Sequence, residues 1–537
     1  MRSLLSFGLF RFLKRDGLFL VVFLVFASFY YDSVLEKEPM NNHLWRQTDC
    51  LSLTRYYARG AAFLEPEMNI QLADKNMTGK TAGEFPILYY TVGQIWKVGG
   101  ESYFTYRLFY LLILFFGIFA FYKSLRLLFK DHYWSIALAL LLFTSPVLVV
   151  YGVSFLTDVP AFCFVLIAMY FLLRYHLEQT KTVFILAMAF FALAGLIKVS
   201  SMIAFVFLFF VLFLETLSVK TLGTKKVFRV SKMEWFGFIA VIGVILSWYV
   251  YASHYNELHR FKYTFNDIYP LWDPEEGGLT LLWKNITEYS GYMFFNRSVV
   301  FLLGGLFLFH FFLWKKIPLF AYLTTIIVML GAFAYVMLWG PLLGVHDYYF
   351  SALIILFPGI VLPFVWFIKT RFPKAFKGYV VKSIIGLFVV FNFLYCLSIV
   401  KLKTRATDGD FPIVGNSEFV GLMRWINWDS DCNWVRFERM KPYLLSKGIA
   451  KTDKVISLPD FSFNVSLYFC DREGWTDFLG YTDSKQIETL VSKKGAKYLF
   501  ISDPALLEKP FLKPFLTDSV GEFERIRIFR LSPGMSL

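Results

Sequence analysis

The sequence has little of what marks a soluble enzyme. Charged residues make up 18% of its 537 residues, against about 25% in an average soluble domain. Its five cysteines include no C-x-x-C pair, and its histidines show no metal-ligand spacing. No G-x-G-x-x-G or P-loop motif is found either. These absences leave a zinc-finger fold and a nucleotide-binding site without support.

Hydrophobic residues dominate the composition. They make up 57% of the chain, aromatic residues 20%, and the mean hydropathy is +0.54. The net charge of +14 would raise nucleic acid as a partner for a soluble protein. Here the basic residues cluster in connectors between apolar segments, as the positive-inside rule describes. The composition therefore predicts a membrane protein with no nucleic-acid partner.

Eleven apolar segments are candidates for membrane-spanning helices, since a span needs roughly 20 mainly apolar residues. Helices are expected because every backbone polar group in lipid must be paired internally. The predicted spans are Gly17–Ser33, Tyr103–Tyr122, Tyr133–Tyr151, Val159–Leu173, Val183–Ile197, Met202–Leu217, Trp235–Tyr251, Ser298–Trp314, Ile317–Trp339, Tyr349–Phe367 and Val380–Val400.

Charge in the connectors predicts which side each one occupies. The N-terminus and the connectors after even-numbered spans carry lysine and arginine, whereas the short connectors after odd-numbered spans are nearly free of them. The basic connectors are therefore placed in the cytoplasm. This predicts a cytoplasmic N-terminus and, with an odd number of spans, an extracytoplasmic C-terminus.

Two domains are predicted. Residues 1–400 form a transmembrane domain with long outer loops at 32–102 and 253–297. Within the first loop, Gln47–Arg59 and Phe85–Trp96 are expected to be helical.

Residues 401–537 have ordinary charge and form a small extracytoplasmic α/β domain. Its predicted strands are Lys454–Leu458, Lys497–Ser502 and Arg525–Leu531. Its predicted helices are Trp434–Lys447 and Ser484–Lys494. For Cys432 and Cys470, a disulfide and two free thiols stay equally open.

The first outer loop carries three candidate functional residues. Asp49 lies shortly after the first span, where a low-dielectric surface can raise the pKa of a carboxyl and suit it to act as a general base. Arg46 is one helical turn away. Glu84 precedes Pro86. The alternative for Asp49 is capping or pairing within a loop helix, and for Glu84 it is a simple loop-to-helix junction.

Four further candidates lie at the predicted outer ends of later spans. Asp158 opens the fourth span, where it serves either as a helix N-cap or as a functional carboxylate. Lys198 interrupts an apolar stretch and either snorkels or neutralises a lipid phosphate. His346 and Asp347 open the tenth span. Each signal is weak alone, but the topology places all of them on one side of the membrane.

Several of these motifs together resemble a known family. His43-Leu-Trp-Arg-Gln-Thr-Asp49, Gly83-Glu-Phe-Pro86, Thr157-Asp-Val-Pro160 and the polar C-terminal domain are similar to the bacterial dolichyl-phosphate-mannose-protein mannosyltransferase-like family. Its ArnT-like and PMT-like members belong to the GT-C glycosyltransferase superfamily. The resemblance covers residues 1 to about 400.

The resemblance implies transfer of a sugar from a polyprenyl-phosphate donor to a lipid, glycan or protein acceptor outside a bacterial inner membrane. The resemblance matches Asp49 to the family's presumed catalytic acid in the first outer loop, Glu84 to the Glu of its Glu-x-Pro segment, and Asp158 to the acid of its second loop. Phe85 stands where the aminoarabinose transferases have lysine, which argues against aminoarabinose transfer to lipid A. No cofactor is identified, and Glu84 and His346 are candidate ligands for a divalent metal.

The expected mechanism is direct displacement with inversion at the anomeric carbon. Asp49 would act as base, and Asp158 would either position the acceptor or share its proton. Arg46, Lys198 and His346 would stabilise the phosphate. A transporter or flippase and a non-catalytic membrane scaffold are the alternatives. The sequence does not identify the sugar or the acceptor.

Overall fold

The computed structural model describes residues 2–40, 43–71, 79–259, 267–273, 278–404 and 413–532. It consists of helices and one five-stranded sheet. The chain forms two compact units. The first unit comprises the described parts of residues 1–37, 103–247 and 267–420, and the second those of 38–102, 248–266 and 421–537.

Long apolar helices dominate the chain up to residue 403. In order, the helices are α1 Arg2–Tyr31, α2 Leu44–Arg59, α3 Ile87–Gly99, α4 Tyr103–Phe129, α5 His132–Leu142, α6 Pro146–Tyr151, α7 Asp158–Glu178, α8 Lys181–Ile197, α9 Ile203–Thr216, α10 Lys232–Leu258, α11 Gly278–Glu288, α12 Arg297–His310, α13 Leu319–Val345, α14 Leu356–Arg371, α15 Pro373–Lys377 and α16 Tyr379–Lys403. Short 3-10 segments, Val199–Met202 and Asp347–Ile355, precede α9 and α14.

All eleven predicted spans fall on helices. Among the described residues, seven helical segments are long and apolar enough to cross a membrane, and four shorter apolar helices account for the other predicted spans. One predicted span, Tyr133–Tyr151, is divided into α5 and α6. The break comes before Pro146, whose backbone nitrogen has no hydrogen to donate to a continuous helix.

Many large apolar side chains on these helices point away from the protein. Phe236, Phe301 and Leu387 are examples, each more than two-thirds exposed. Such a surface is unfavourable in water and is typical of helices solvated by lipid. The orientation of the termini relative to the membrane stays a prediction.

The C-terminal part of the chain folds around a mixed sheet. Its helices are α17 Ser417–Asp429, α18 Arg436–Arg439, α19 Lys441–Ser446, α20 Val465–Cys470 and α21 Ser484–Ser492, and its strands are β1 Lys454–Leu458, β2 Gly474–Thr476, β3 Ala496–Ile501, β4 Ser519–Phe523 and β5 Ile526–Arg530. The strand order is β2-β1-β3-β5-β4. The β2, β1 and β3 strands run parallel, whereas β3 with β5 and β5 with β4 are antiparallel.

The sequence pattern accounts for most of this sheet. The apolar β1 is buried along almost its whole length, as expected of a central parallel strand. Asp483 and Gln486 form a capping box that begins α21, which packs on β3. The α/β class and the three predicted strands are confirmed. The strands β2 and β4 were not predicted: β2 has only three residues, and both contain a glycine, which weakens the strand pattern.

The connector between α1 and α4 takes part in the same unit as the sheet. Ile70 pairs with Gly474 in a parallel bridge, and the Gln71 N–H donates to the Gly474 carbonyl at 2.6 Å. Asn69 donates its side-chain amide to the Arg472 carbonyl at 3.1 Å. The sheet is thereby extended by a segment some 400 residues earlier in the chain. The predicted domain boundary near residue 400 stays a prediction.

The five cysteines are all free thiols in the structure. Cys470 is buried in α20, whereas Cys432 is exposed. Of the two alternatives left open by the sequence, the structure therefore contains the free thiols.

Gly474 provides a test of the sheet. Its φ is +154°, and an added Cβ would lie 1.8 Å from the Val455 carbonyl oxygen. We expect Gly474→Ala to separate β2 from β1 and to cost about 2–4 kcal/mol, measured as a lower Tm of the purified protein in detergent. Gly421→Ala, at an open position in α17, is the control. An unchanged Tm for Gly474→Ala would contradict the described strand pairing.

Candidate active site

The helices α2 and α3 pack closely and carry the first group of candidates. The α2 helix ends at Gly60 in a left-handed conformation that closes its last turn. Gly93 of α3 allows the close approach, because a Cβ there would lie 2.7 Å from the Cβ of Tyr57. The Cys50 thiol and the Tyr89 hydroxyl, 3.4 Å apart, also join the two helices. Both predicted loop helices are confirmed.

Arg46 and Glu84 form a buried ion pair between α2 and the segment before α3. Glu84 is therefore more than a junction residue, since its carboxylate neutralises a guanidinium that is itself only 8% exposed. Phe85 packs edge-on against Trp248 and Phe63. Phe85 thus fills an aromatic cluster beside the ion pair.

Asp49 lies one helical turn after Arg46 and is fully buried. Neither oxygen of its carboxylate has a hydrogen-bond partner among the described residues. Native proteins pair nearly all their buried polar groups, so an orphaned carboxylate requires an explanation. Asp49 lies inside α2 rather than at its N-cap, and no hydrogen bond pairs its carboxylate within the described helix.

The pKa of the Asp49 carboxyl is raised well above its ordinary value of 3.8. Burial is the main cause, because it penalises the charged form. Arg46 opposes the rise, whereas the negative charges of Glu84 and Asp460 add to it. The Asp49 carboxyl therefore keeps its proton to a higher pH than an ordinary aspartate. Its deprotonated form is correspondingly a stronger base.

In the first unit, Asp158 pairs with Lys198. Asp158 is the first residue of α7, but Thr157 is the N-cap and forms no side-chain capping bond. The Lys198 ammonium lies 3.2 Å from one Asp158 oxygen, while the other oxygen is buried without a hydrogen-bond partner in the described structure. A small cavity with Ser201 and Ser351 in its wall adjoins the pair. Of the two alternatives for Asp158, the structure does not show the N-cap, since Asp158 is the first residue inside α7.

Asp347 is the centre of a third cluster. It is fully buried and accepts hydrogen bonds from the hydroxyls of Tyr151 and Tyr289 and from the Lys403 ammonium, the last at 2.7 Å. Lys403 is itself 1% exposed. The neighbouring His346 is half-buried, and its ring centroid lies 5.5 Å from that of Tyr348.

The predicted residues thus form two groups by unit. Arg46, Asp49 and Glu84 meet in the second unit. In the first unit, Asp158 meets Lys198, and Asp347 meets Lys403. The sequence analysis missed Lys403, because a lysine at the end of an apolar span reads as a topology signal. Within the described ranges, no three His, Cys, Asp or Glu side chains are grouped to hold a metal ion.

Known proteins share this architecture. The family described as dolichyl-phosphate-mannose-protein mannosyltransferase matches residues 83–248, which include Glu84, Asp158 and Lys198. No curated protein matches the sequence.

Among solved structures, the chain is similar to ArnT from Cupriavidus metallidurans bound to undecaprenyl phosphate, with a TM-score of 0.59 and 12% identity over 97% of this chain and 99% of that one. For ArnT from the same organism in the apo state, the TM-score is 0.54 and the identity 12%, over 97% of this chain and 98% of that one. The chain is also similar to the archaeal oligosaccharyltransferase AglB from Archaeoglobus fulgidus, in complex with an inhibitory peptide and a dolichol-phosphate. The TM-score is 0.53 and the identity 12%, over 91% of this chain and 70% of that one. The resemblance to the GT-C glycosyltransferases is confirmed, and the chain is a multi-pass membrane protein with that fold.

The Asp347–Lys403 pair gives a stability test. Lys403→Met leaves the Asp347 carboxylate buried without its cation, and we expect a loss of about 3–5 kcal/mol, seen as a large drop in Tm. Lys401→Met, which removes a partner of the exposed Asp32, is the matched control and should cost about 1 kcal/mol or less. Equal effects of the two substitutions would show that Lys403 does not neutralise a buried charge.

Proposed function

We propose that this protein is a membrane glycosyltransferase that moves a sugar from a polyprenyl-phosphate donor to an acceptor hydroxyl on the extracytoplasmic face of a bacterial inner membrane. The observation that supports this most is the buried, unpartnered carboxylate of Asp49 beside the Arg46–Glu84 ion pair. The GT-C fold, and the polyprenyl phosphate bound by ArnT, point to the same class of donor.

In the proposed reaction, Asp49 takes the proton of the acceptor hydroxyl as its oxygen attacks the anomeric carbon. The bond between that carbon and the phosphate oxygen breaks, and the polyprenyl phosphate leaves with the electron pair. Attack opposite to the leaving group inverts the anomeric carbon. A phosphate ester is already an activated leaving group, so this chemistry requires a base and cations.

Arg46 would supply a cation for the departing phosphate. It is held in place by Glu84, so its guanidinium needs little reorganisation to meet a developing negative charge. The roles of Asp158, Lys198 and His346 in substrate binding stay predictions from the sequence. Lipids, glycans and proteins all carry suitable hydroxyls, and AglB, which is bound to an inhibitory peptide, makes a protein acceptor worth testing first.

Asp49→Asn tests the proposal directly. It keeps the shape of the side chain and removes the base, so we expect sugar transfer to fall by about 10²–10⁴-fold while folding is retained. Transfer would be measured in nanodiscs with radiolabelled polyprenyl-phosphate sugars and envelope extract as acceptor. Asp32→Asn, at an exposed carboxylate, is the control. Donor consumption that is unaffected by Asp49→Asn would exclude Asp49 as the base, and no consumption by the folded wild type would favour a transporter or a scaffold.

The charges around Asp49 predict how sugar transfer depends on pH. Two substitutions should shift that dependence in opposite directions. The base acts when deprotonated, so transfer should rise with pH through a pKa above the ordinary range. Glu84→Gln removes a charge that raises this pKa and should move the rise to lower pH. Arg46→Gln removes the charge that lowers it and should move the rise to higher pH, with a slower rate. The measurement is kcat/KM against pH, and shifts in the same direction would contradict the assignment of Asp49.

A further inference from the structure

The turn after β1 holds a further buried carboxylate, at Asp460. The side chain is fully buried. It accepts hydrogen bonds from the backbone N–H of Ser462 at 2.9 Å and of Ser466 at 2.8 Å, and from the Ser462 hydroxyl. Burial raises the pKa of Asp460 to about 6, and these hydrogen bonds from Ser462 and Ser466 limit the rise. Asp460 is therefore ionised at neutral pH although it is buried and has no cation among its hydrogen-bond donors.

One face of α2 points towards this part of the C-terminal domain. Residues spaced by four and three positions lie along one side of a helix. Four such residues of α2 interact with the C-terminal domain, directly or through one intervening side chain, and a fifth at the same spacing is Asp49. The stripe consists of Trp45, Asp49, Ser52, Tyr56 and Arg59.

The contacts of this stripe begin beside Asp460. The ring of Trp45 lies 6.4 Å from that of Phe463 and 5.8 Å from that of Phe478. Ser52 donates to the Asn69 side-chain oxygen at 2.7 Å, and that oxygen also accepts from Asn464 at 2.9 Å.

The stripe continues along the next two turns of α2. Tyr56 donates to Glu473 at 2.7 Å, and Arg59 to Asp471 at 2.6 Å. Asp49 lies between Trp45 and Ser52 on this stripe, on the face of α2 that packs towards Phe463 and Asn464, a few residues after Asp460.

We propose that Asp460 is a positioning residue for Asp49: its carboxylate, held by Ser462 and Ser466, faces the base and sets the charge state in which the base acts. This role rests on the proposed function of Asp49. It makes the C-terminal domain a contributor to the reaction, because the residue that tunes the base comes from the sheet domain rather than from the membrane helices.

The physical basis is the repulsion between two nearby carboxylates, which prevents both from ionising easily. Asp460 has three hydrogen-bond donors for its negative charge, whereas Asp49 has none in the described structure. Asp460 therefore ionises first, and its charge keeps the proton on Asp49. The other charged groups that face Asp49 are Arg46 of α2, which opposes this effect, and Glu84 before α3, which adds to it.

Carbodiimide labelling provides a test that does not depend on sugar transfer. Dicyclohexylcarbodiimide reacts with protonated carboxyls in apolar surroundings, so the extent of Asp49 modification against pH, read by mass spectrometry, reports its protonation. Asp460→Asn removes the facing charge, and we expect the midpoint of Asp49 labelling to move to lower pH. The rise of transfer with pH should move in the same direction.

The matched control is Asp453→Asn. Asp453 is also a buried carboxylate of the C-terminal domain, but it pairs with Lys497 and precedes β1, whereas Asp460 follows that strand. Its replacement should leave the midpoint of Asp49 labelling in place. Ser462→Ala is the second variant. It keeps the charge but removes one donor to Asp460, so it should cause a smaller shift in the same direction even where Asp460→Asn fails to fold.

The two proposals fail in different ways. An Asp49 labelling midpoint that is the same in wild type, Asp460→Asn and Ser462→Ala overturns the role of Asp460, whatever the transfer activity. A shifted midpoint in a protein whose transfer survives Asp49→Asn overturns the catalytic role of Asp49, and with it the role of Asp460 as a positioning residue.

Discussion

Burying a carboxylate costs several kcal/mol unless a cation or a set of hydrogen-bond donors compensates for the lost water. The buried acids of this protein follow that constraint. Glu84 has Arg46, Asp158 has Lys198, and Asp347 has Lys403 together with two tyrosine hydroxyls. In the described part of the chain, Asp49 is fully buried and accepts no hydrogen bond. Among these acids, Asp49 therefore lacks the hydrogen-bond donors that the others have, and burial raises the pKa of its carboxyl, as the proposed base requires.

The helices were predictable because lipid allows few alternatives. An apolar stretch that crosses a bilayer must pair its backbone internally, so length and composition are sufficient to place it. Strands Lys454–Leu458, Lys497–Ser502 and Arg525–Leu531 were recognisable because apolar and β-branched residues are concentrated there. Local rules failed where the backbone departs from a regular element, as at the break before Pro146 and in the short strand Gly474–Thr476.

Candidate side chains were found from the sequence, but most of their partners were not. The acidic residues stand out because charge is rare near apolar segments. Their partners lie far along the chain, 38 residues away for Arg46 and Glu84 and 56 for Asp347 and Lys403. A local sequence pattern cannot reveal two partners that are so far apart along the chain. Asp158 is an example. From the sequence, an aspartate two residues before a proline resembles a helix cap, whereas the structure places Lys198 beside it.

The environment of Asp49 is assembled from segments that no single motif contains. Its own helix supplies Arg46, the segment before α3 supplies Glu84, and the turn after β1 supplies Asp460. Because Ile70 and Asn69 join the first connector to the sheet, Asp49 and Asp460 belong to one compact unit. The charges that set the proton affinity of Asp49 therefore come from the whole unit. If Asp49 is the base, as proposed, substitutions in the turn after β1 change the pH at which it acts although they lie some 400 residues away in the sequence.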